Sequence, residues 1–330
     1  VTAAAPAPDP DVAPALERLA PGSGALTLGV ELPLDNDWSP QGRRAARADG
    51  RPAGVPDLTR HAELARLADE LGFTALWMRD VPLWDPAFGD AGQVYDPFPY
   101  LGYLAATTRD ILLGTAAVAL PLRHPLHVAK MAATVDRLSG GRLLLGIASG
   151  DRPSEYPLFG VDFASRGQAV RDGVRILREA WESAAAPDDG RSLRVLPRPA
   201  QPTVPLIMAG RGGQTPEWLA GHLDGHFTYH RPPAGMRPVA ESWREVCAGR
   251  RRPLLTTMLV DLAEDPDEPA RPVRFGARLG RKALTGYLTG LEECGVAHVA
   301  LNFRLGNRPV GAALAEIATH VLPEFPGTRP

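Results

Sequence analysis

The segment AGRGGQTPEW, residues 209–218, concentrates residue types whose order suggests chemistry. Gly210, Arg211, Gly212 and Gly213 follow an apolar run and precede a helix start, where Thr215 suits the cap and Pro216 the first helical position. Glycines let backbone N–H groups approach an anion closely and Arg211 adds a charge-assisted donor, so the segment reads as a phosphate site. A tight turn without a ligand needs the same glycines, and the local sequence leaves both readings open. LWMRDVP, 76–82, puts Arg79 and Asp80 at the end of another apolar run, either as catalytic groups or as an ion pair with one another that seals a rim. Thr228, Tyr229 and His230 close a third run and offer hydroxyls and an imidazole for acid–base work, with His230 as the candidate. GIASGD, 146–151, supplies Ser149 and Gly150 but lacks the GxSxG pattern, which argues against a hydrolase. In LGTAAVALPLRHP, 113–125, Ala116 and Ala117 leave room beside the backbone for a large flat group, or serve as one layer of small core side chains. His124 and His127 have no carboxylate partner at ligand spacing and read as surface or capping residues; no metal site is expected.

The elements that must position these residues alternate along the chain. Short apolar runs at 26–32, 74–79, 111–120, 142–149, 204–210, 225–230, 254–262 and 296–303 read as strands buried on both faces. Helices with apolar residues at three- and four-residue spacing lie between them, for example Leu64, Leu67, Ala68 and Leu71, or Val128, Met131, Ala132, Val135 and Leu138. Weaker helices are expected over 97–108, 215–223 and 235–247. Strand–helix units repeated eight times define an α/β fold, a (β/α)8 TIM barrel, with a doubly wound sheet as the alternative. A barrel keeps its chemistry at the C-terminal strand ends, where the candidates above fall. Two long loops, 33–57 and 81–94, would cover a pocket there with Trp38, Trp84 and Phe88, or stand as disordered insertions, with both readings open for 40–54.

Composition bounds the rest. A chain of 330 residues with 44% hydrophobic content can bury one large core or two smaller ones, and no Pro-, Gly- or Ser-rich linker marks a boundary, so one barrel over 23–330 is expected. Residues 1–22 read as a disordered Pro/Ala-rich arm, with neither the basic start nor the apolar run of a signal peptide. A net charge of -2 without a basic stripe argues against nucleic acid, and no run is long enough to span a membrane. Cys247 and Cys294 alone make no disulfide framework and fit a reducing compartment, hence the cytoplasm.

The stretch LGTAAVALPLRHPLHVAKMAATVDRLSGGRLLLGIASGD, 113–151, resembles the luciferase-like monooxygenase family, as do 64–80, 156–181 and 205–225 in the same order. That resemblance implies a barrel holding FMN, or in some relatives the deazaflavin F420, across its mouth, with the flavin phosphate at the loop after the fifth strand. It implies a non-proline cis peptide at Ala116–Ala117 behind the flavin ring. The combined readings assign cofactor binding to Glu31, Thr115, Ala116, Ala117, Ser149, Gly150, Gly210, Arg211, Gly212, Gly213 and Thr215, and catalysis to Asp80, Arg79 and His230. The implied activity is a monooxygenase that takes FMNH2 from a separate flavin reductase and oxidises a small organic substrate, as a homodimer. F420-dependent hydride transfer is the second enzymatic reading, with Arg43, Arg44, Arg47 and Arg51 available for an acidic cofactor tail, and a non-catalytic flavin-binding protein the third. Many relatives carry an acidic residue followed by His after the second strand, whereas this chain has Asp80 followed by Val81. Ala148 and Ser149 replace the reactive Cys and neighbouring Arg of bacterial luciferase, so light emission is not implied.

Overall fold

Leu, Val, Ile and Ala dominate the strand segments because both faces of each strand are covered, by the barrel interior on one side and helices on the other. The computed structural model describes residues 12–22, 24–52, 54–85, 88, 95–185 and 193–328. Its strands β1 (Thr27–Glu31), β2 (Ala75–Met78), β3 (Leu112–Thr115), β4 (Val118–Ala119), β5 (Leu143–Ala148), β6 (Leu206–Ala209), β7 (Gly225–Thr228), β8 (Leu254–Leu262) and β11 (Val296–Asn302) run parallel. Pairing of β11 with both β1 and β8 closes the ring, giving the (β/α)8 barrel that the alternation implied. The doubly wound alternative is excluded by that closure. The run at 111–120 is not one strand but two: the cis peptide Ala116–Ala117 separates β3 from β4. A hairpin of β9 (Arg271–Val273) and β10 (Gly276–Leu279), unforeseen from the sequence, extends the sheet beside β8.

Helices α3 (His61–Glu70), α4 (Pro97–Thr107), α5 (Pro125–Leu138), α6 (Arg166–Ala185), α7 (Pro216–His222), α8 (Pro233–Cys247), α9 (Arg281–Cys294) and α10 (Val310–His320) cover the outside. Two further helices correct the sequence reading. Residues 1–11 lie outside the described residues, but α1 (Pro14–Leu19), assigned above to a disordered arm, buries Ala13, Ala15, Leu16 and Leu19 against the interior residues Leu112, Leu144, Ile207 and Leu255. Its backbone is tied by Ala15 N–H to Gln201 Oε1 at 3.2 Å, and Arg251 pairs with Glu17. A Pro/Ala-rich composition hid a short apolar face that plugs the N-terminal end of the barrel. Within 40–54, α2 (Pro40–Ala48) is ordered by Ser39, whose Oγ accepts from Gly42 N at 2.9 Å, and by Pro40 in the first turn. Among the described residues no helix is long and apolar enough to cross a membrane.

Three buried histidines carry a pH signature. Burial pushes His226 and His230 down to about 4 and His298 to about 3, so all are neutral in the folded protein. The unfolded chain, with histidines near 6.5, binds more protons below that pH, so this stability is complete above about 6.5 and is lost as pH falls toward the folded values. Asp35, pushed up to about 6 by burial, opposes them with a single proton. Urea midpoints are therefore expected to fall from pH 6.5 to pH 5, with a shallower fall in His226→Gln; a flat profile would contradict this account.

Candidate active site

The C-terminal ends of β1 to β7 surround an open cavity of about 290 Å³. Its floor is Trp77, fully buried on β2, with the ring of Phe227 of β7 edge-on at 5.1 Å. One wall is made of small residues, Ala116 and Ala117 at the cis peptide, Ala119, Ala148 and Ala209, which leave a shelf free of side-chain bulk. Ser149 and Gly150 follow β5 along this wall. Thr115 does not reach the cavity: it is fully buried beneath it and donates to Gly146 O at 2.7 Å.

At one end of the shelf the chain turns through Gly210, Arg211 and Gly212. Gly210, Gly212 and Gly213 have φ of 66°, 58° and 73°, the left-handed backbone that turns successive N–H groups inward. Among the described residues the N–H groups of Arg211, Gly212 and Gly213 meet no protein acceptor, and the exposed Arg211 side chain has no partner. Gln214 braces the turn by donating to Gly212 O and Gly167 O, both at 2.8 Å, while accepting from Arg171 at 2.7 Å. Gly213 lies outside the cavity lining, where a Cβ would come within 3.3 Å of Gly167 Cα, and Thr215 caps α7 by accepting from Trp218 N at 3.3 Å.

The opposite side holds the charged groups. Arg79 and Asp80 do not pair with each other. Arg79 Nε lies 3.5 Å from Glu31, whose other oxygen accepts from Thr257 Oγ1 at 2.7 Å. Asp80 accepts two bonds from Arg123 at 2.9 Å and a third from Ala119 N at 3.2 Å, leaving its side chain 1% exposed. Asp80 lines the cavity and braces β4 and the shelf, with two of the three bonds on Oδ2 and one on Oδ1. His230 is likewise turned away: it bonds Tyr287 Oη of α9 at 2.9 Å, stacks on that ring, and does not line the cavity.

Sequence reasoning missed Glu155 and Arg152. Glu155 lines the cavity at 4% exposure and burial pushes its carboxyl above the usual range, while Arg152 Nη1 lies 3.4 Å away. Arg152 also donates to Leu83 O at 3.2 Å and lies 4.6 Å from the centre of the Phe88 ring, tying the segment after β5 to the loop after β2. The three-residue spacing of Arg152 and Glu155 just past a strand end was the available signal. Of the loop aromatics, Trp38 packs against Arg304 at 4.6 Å and Trp84 is exposed, so neither lines the cavity; residues 86, 87 and 89–94 of the second loop lie outside the described residues. Since Asp80 is a brace, Asp80→Asn is expected to lower unfolding free energy by about 2 kcal/mol through weakened charge-assisted bonds, and Arg123→Leu to do the same. Equal urea midpoints for wild type and both variants would remove that role.

The family model described as luciferase-like monooxygenase matches residues 39–276. The pyrimidine monooxygenase RutA of Methylobacterium radiotolerans is 33% identical over 280 residues, 78% of this chain and 70% of that one. A monooxygenase structure from Streptomyces bottropensis superposes with a TM-score of 0.70 at 20% identity, over 91% of this chain and 100% of that one. The F420-dependent tetrahydromethanopterin reductase of Methanopyrus kandleri superposes with a TM-score of 0.65 at 17% identity, over 91% and 99%. At those identities the two structures speak to the fold alone. The extent of the family match, over residues 39–276 of a closed parallel barrel, makes the chain an enzyme that belongs to the luciferase-like monooxygenase family.

Proposed function

We propose that this enzyme is a flavin-dependent monooxygenase that binds FMN, receives it reduced from a separate reductase, and oxidises a small uncharged organic substrate. The observation that carries this reading is the turn at 210–213, where the N–H groups of Arg211, Gly212 and Gly213 and the Arg211 side chain meet no acceptor among the described residues, at one end of an alanine-lined shelf. A dianionic phosphate satisfies those donors, and the shelf suits a planar ring system. Reduced flavin bound there would supply the electrons for activating dioxygen. The protein's share is positioning and dryness: Trp77 and Phe227 close the floor to water, and Asp80 with Arg123 braces the shelf. Glu31 with Arg79 and Glu155 with Arg152 neutralise one another, which favours an uncharged substrate over an anion or cation. RutA carries pyrimidine in its name, and a neutral heterocycle of that kind suits such a lining.

Proton transfer falls to Glu155, the cavity carboxyl whose protonated form is favoured by burial. The F420 reading keeps Arg43, Arg44 and Arg47 on α2, but Arg51 is bound to Asp37 at 2.6 Å and unavailable to a cofactor tail. Cytoplasmic residence is supported by the free, buried thiols of Cys247 and Cys294, and a homodimer by the family resemblance alone.

Titration with FMN, FMNH2 and F420 in parallel tests the cofactor. FMN and FMNH2 are expected to bind, and Arg211→Ala to weaken both on the order of tenfold through loss of a charge-assisted bond; unchanged affinities would count against the phosphate assignment. Glu155→Gln is expected to keep FMN affinity while removing one ionisation from the pH profile of substrate oxidation. A profile identical to wild type would exclude Glu155 as the proton-holding group.

A further inference from the structure

Beneath the cavity a line of polar groups crosses the otherwise apolar barrel interior. Trp77 Nε1 donates to His298 Nε2 at 2.8 Å, and His298 Nδ1 lies 2.6 Å from Thr27 Oγ1. The Thr27 hydroxyl in turn donates to Leu19 O at the end of α1, with Ala297 O a more distant acceptor at 3.4 Å. An indole nitrogen can only donate and a carbonyl oxygen can only accept, so the two ends fix every proton between them. His298 Nε2 must present a lone pair, the ring's proton must sit on Nδ1, and that N–H must point at Thr27. Thr27 and His298 are fully buried, and burial keeps the imidazole neutral, as this arrangement requires.

The barrel is built around this pair of rings. A Cβ on Gly114 would lie 2.4 Å from the Trp77 ring, and one on Gly29 would lie 2.8 Å from His298 Nε2. A side chain at either of those two positions would take space the rings occupy. Packing confines the buried indole, with Phe227 edge-on, and the bond to His298 gives its N–H edge a fixed partner.

We propose that His298 is a positioning residue for the active site: its Nδ1-protonated form, set by Thr27 and the end of α1, fixes the Trp77 indole as the cavity floor. The segment that plugs the far end of the barrel thereby shapes the end where chemistry takes place. Only the affinity readout below rests on the flavin reading; the resonance readouts do not.

In the full-length protein, ¹⁵N NMR of the His298 ring is expected to show a protonated Nδ1 and an unprotonated Nε2. His298→Leu should shift the Trp77 indole N–H resonance and weaken FMN binding by about tenfold, the scale of one lost buried hydrogen bond. His298→Gln, which keeps an acceptor toward Trp77, should stay within about threefold of wild type in FMN binding, less than half that free-energy loss. Thr27→Val should leave the Nδ1 proton without its acceptor and shift the ¹⁵N resonance of that nitrogen. A wild-type ring protonated on Nε2, an unmoved indole resonance in His298→Leu, or equal losses in the Leu and Gln variants would overturn the assignment. Should wild type itself bind no FMN, the flavin reading fails while the ring protonation and the indole resonance still decide the role of His298.

Discussion

Closure of the barrel, by pairing β11 with β8 as well as β1, is the constraint on which the rest of the molecule depends. A closed parallel ring leaves no open edge and sends every principal strand's C-terminal end to the same rim. Residues distant in sequence therefore meet without any local motif linking them. Asp80 and Arg123 are 43 positions apart, and Glu31 and Thr257 are 226 apart, yet each pair lies within hydrogen-bond reach because the strands carrying them converge. The same closure creates an interior that must be filled, and here it is filled by Trp77, Phe227 and the apolar face of α1.

Closure also explains which features could be read from the sequence. Strands buried on both faces give continuous apolar runs, so β8 was expected over 254–262 and is found at Leu254–Leu262. The β9–β10 hairpin gave no such run: Arg271 and Pro272 are exposed, and RPV carries no burial signal. Helix α1 was hidden for a different reason. Its three buried positions, Ala15, Leu16 and Leu19, include one alanine, Ala13 before it is a second, and a Pro/Ala-rich stretch resembles a disordered arm until a barrel end is present for it to cover.

For the site, what followed from backbone grammar and resemblance was legible, and what followed from side-chain direction was not. Gly210, Arg211 and Gly212 line the cavity because a strand, a glycine turn and a helix start specify a local backbone. The partners of Arg79, Asp80 and His230 depend on which way each side chain leaves a strand end, where the regular alternation of a strand no longer applies. His230 leaves toward α9 and finds Tyr287; Asp80 leaves toward β4 and finds Arg123.

These directions bear on the substitution of Val81 for the histidine that many relatives carry. Without an imidazole at that position, an acid–base role would pass to a group that lines the cavity. Asp80 is held by Arg123 and Ala119, and His230, pushed down to about 4, faces away. Glu31 is engaged by Thr257 and Arg79. Of the two remaining carboxyls in the lining Asp151 is exposed and Glu155 is buried; the Glu155 ion pair with Arg152 is long at 3.4 Å, and desolvation outweighs that pairing so that its carboxyl is pushed up. Arg152, three residues before it, ties this carboxyl to the loop after β2, a contact that sequence spacing alone does not give.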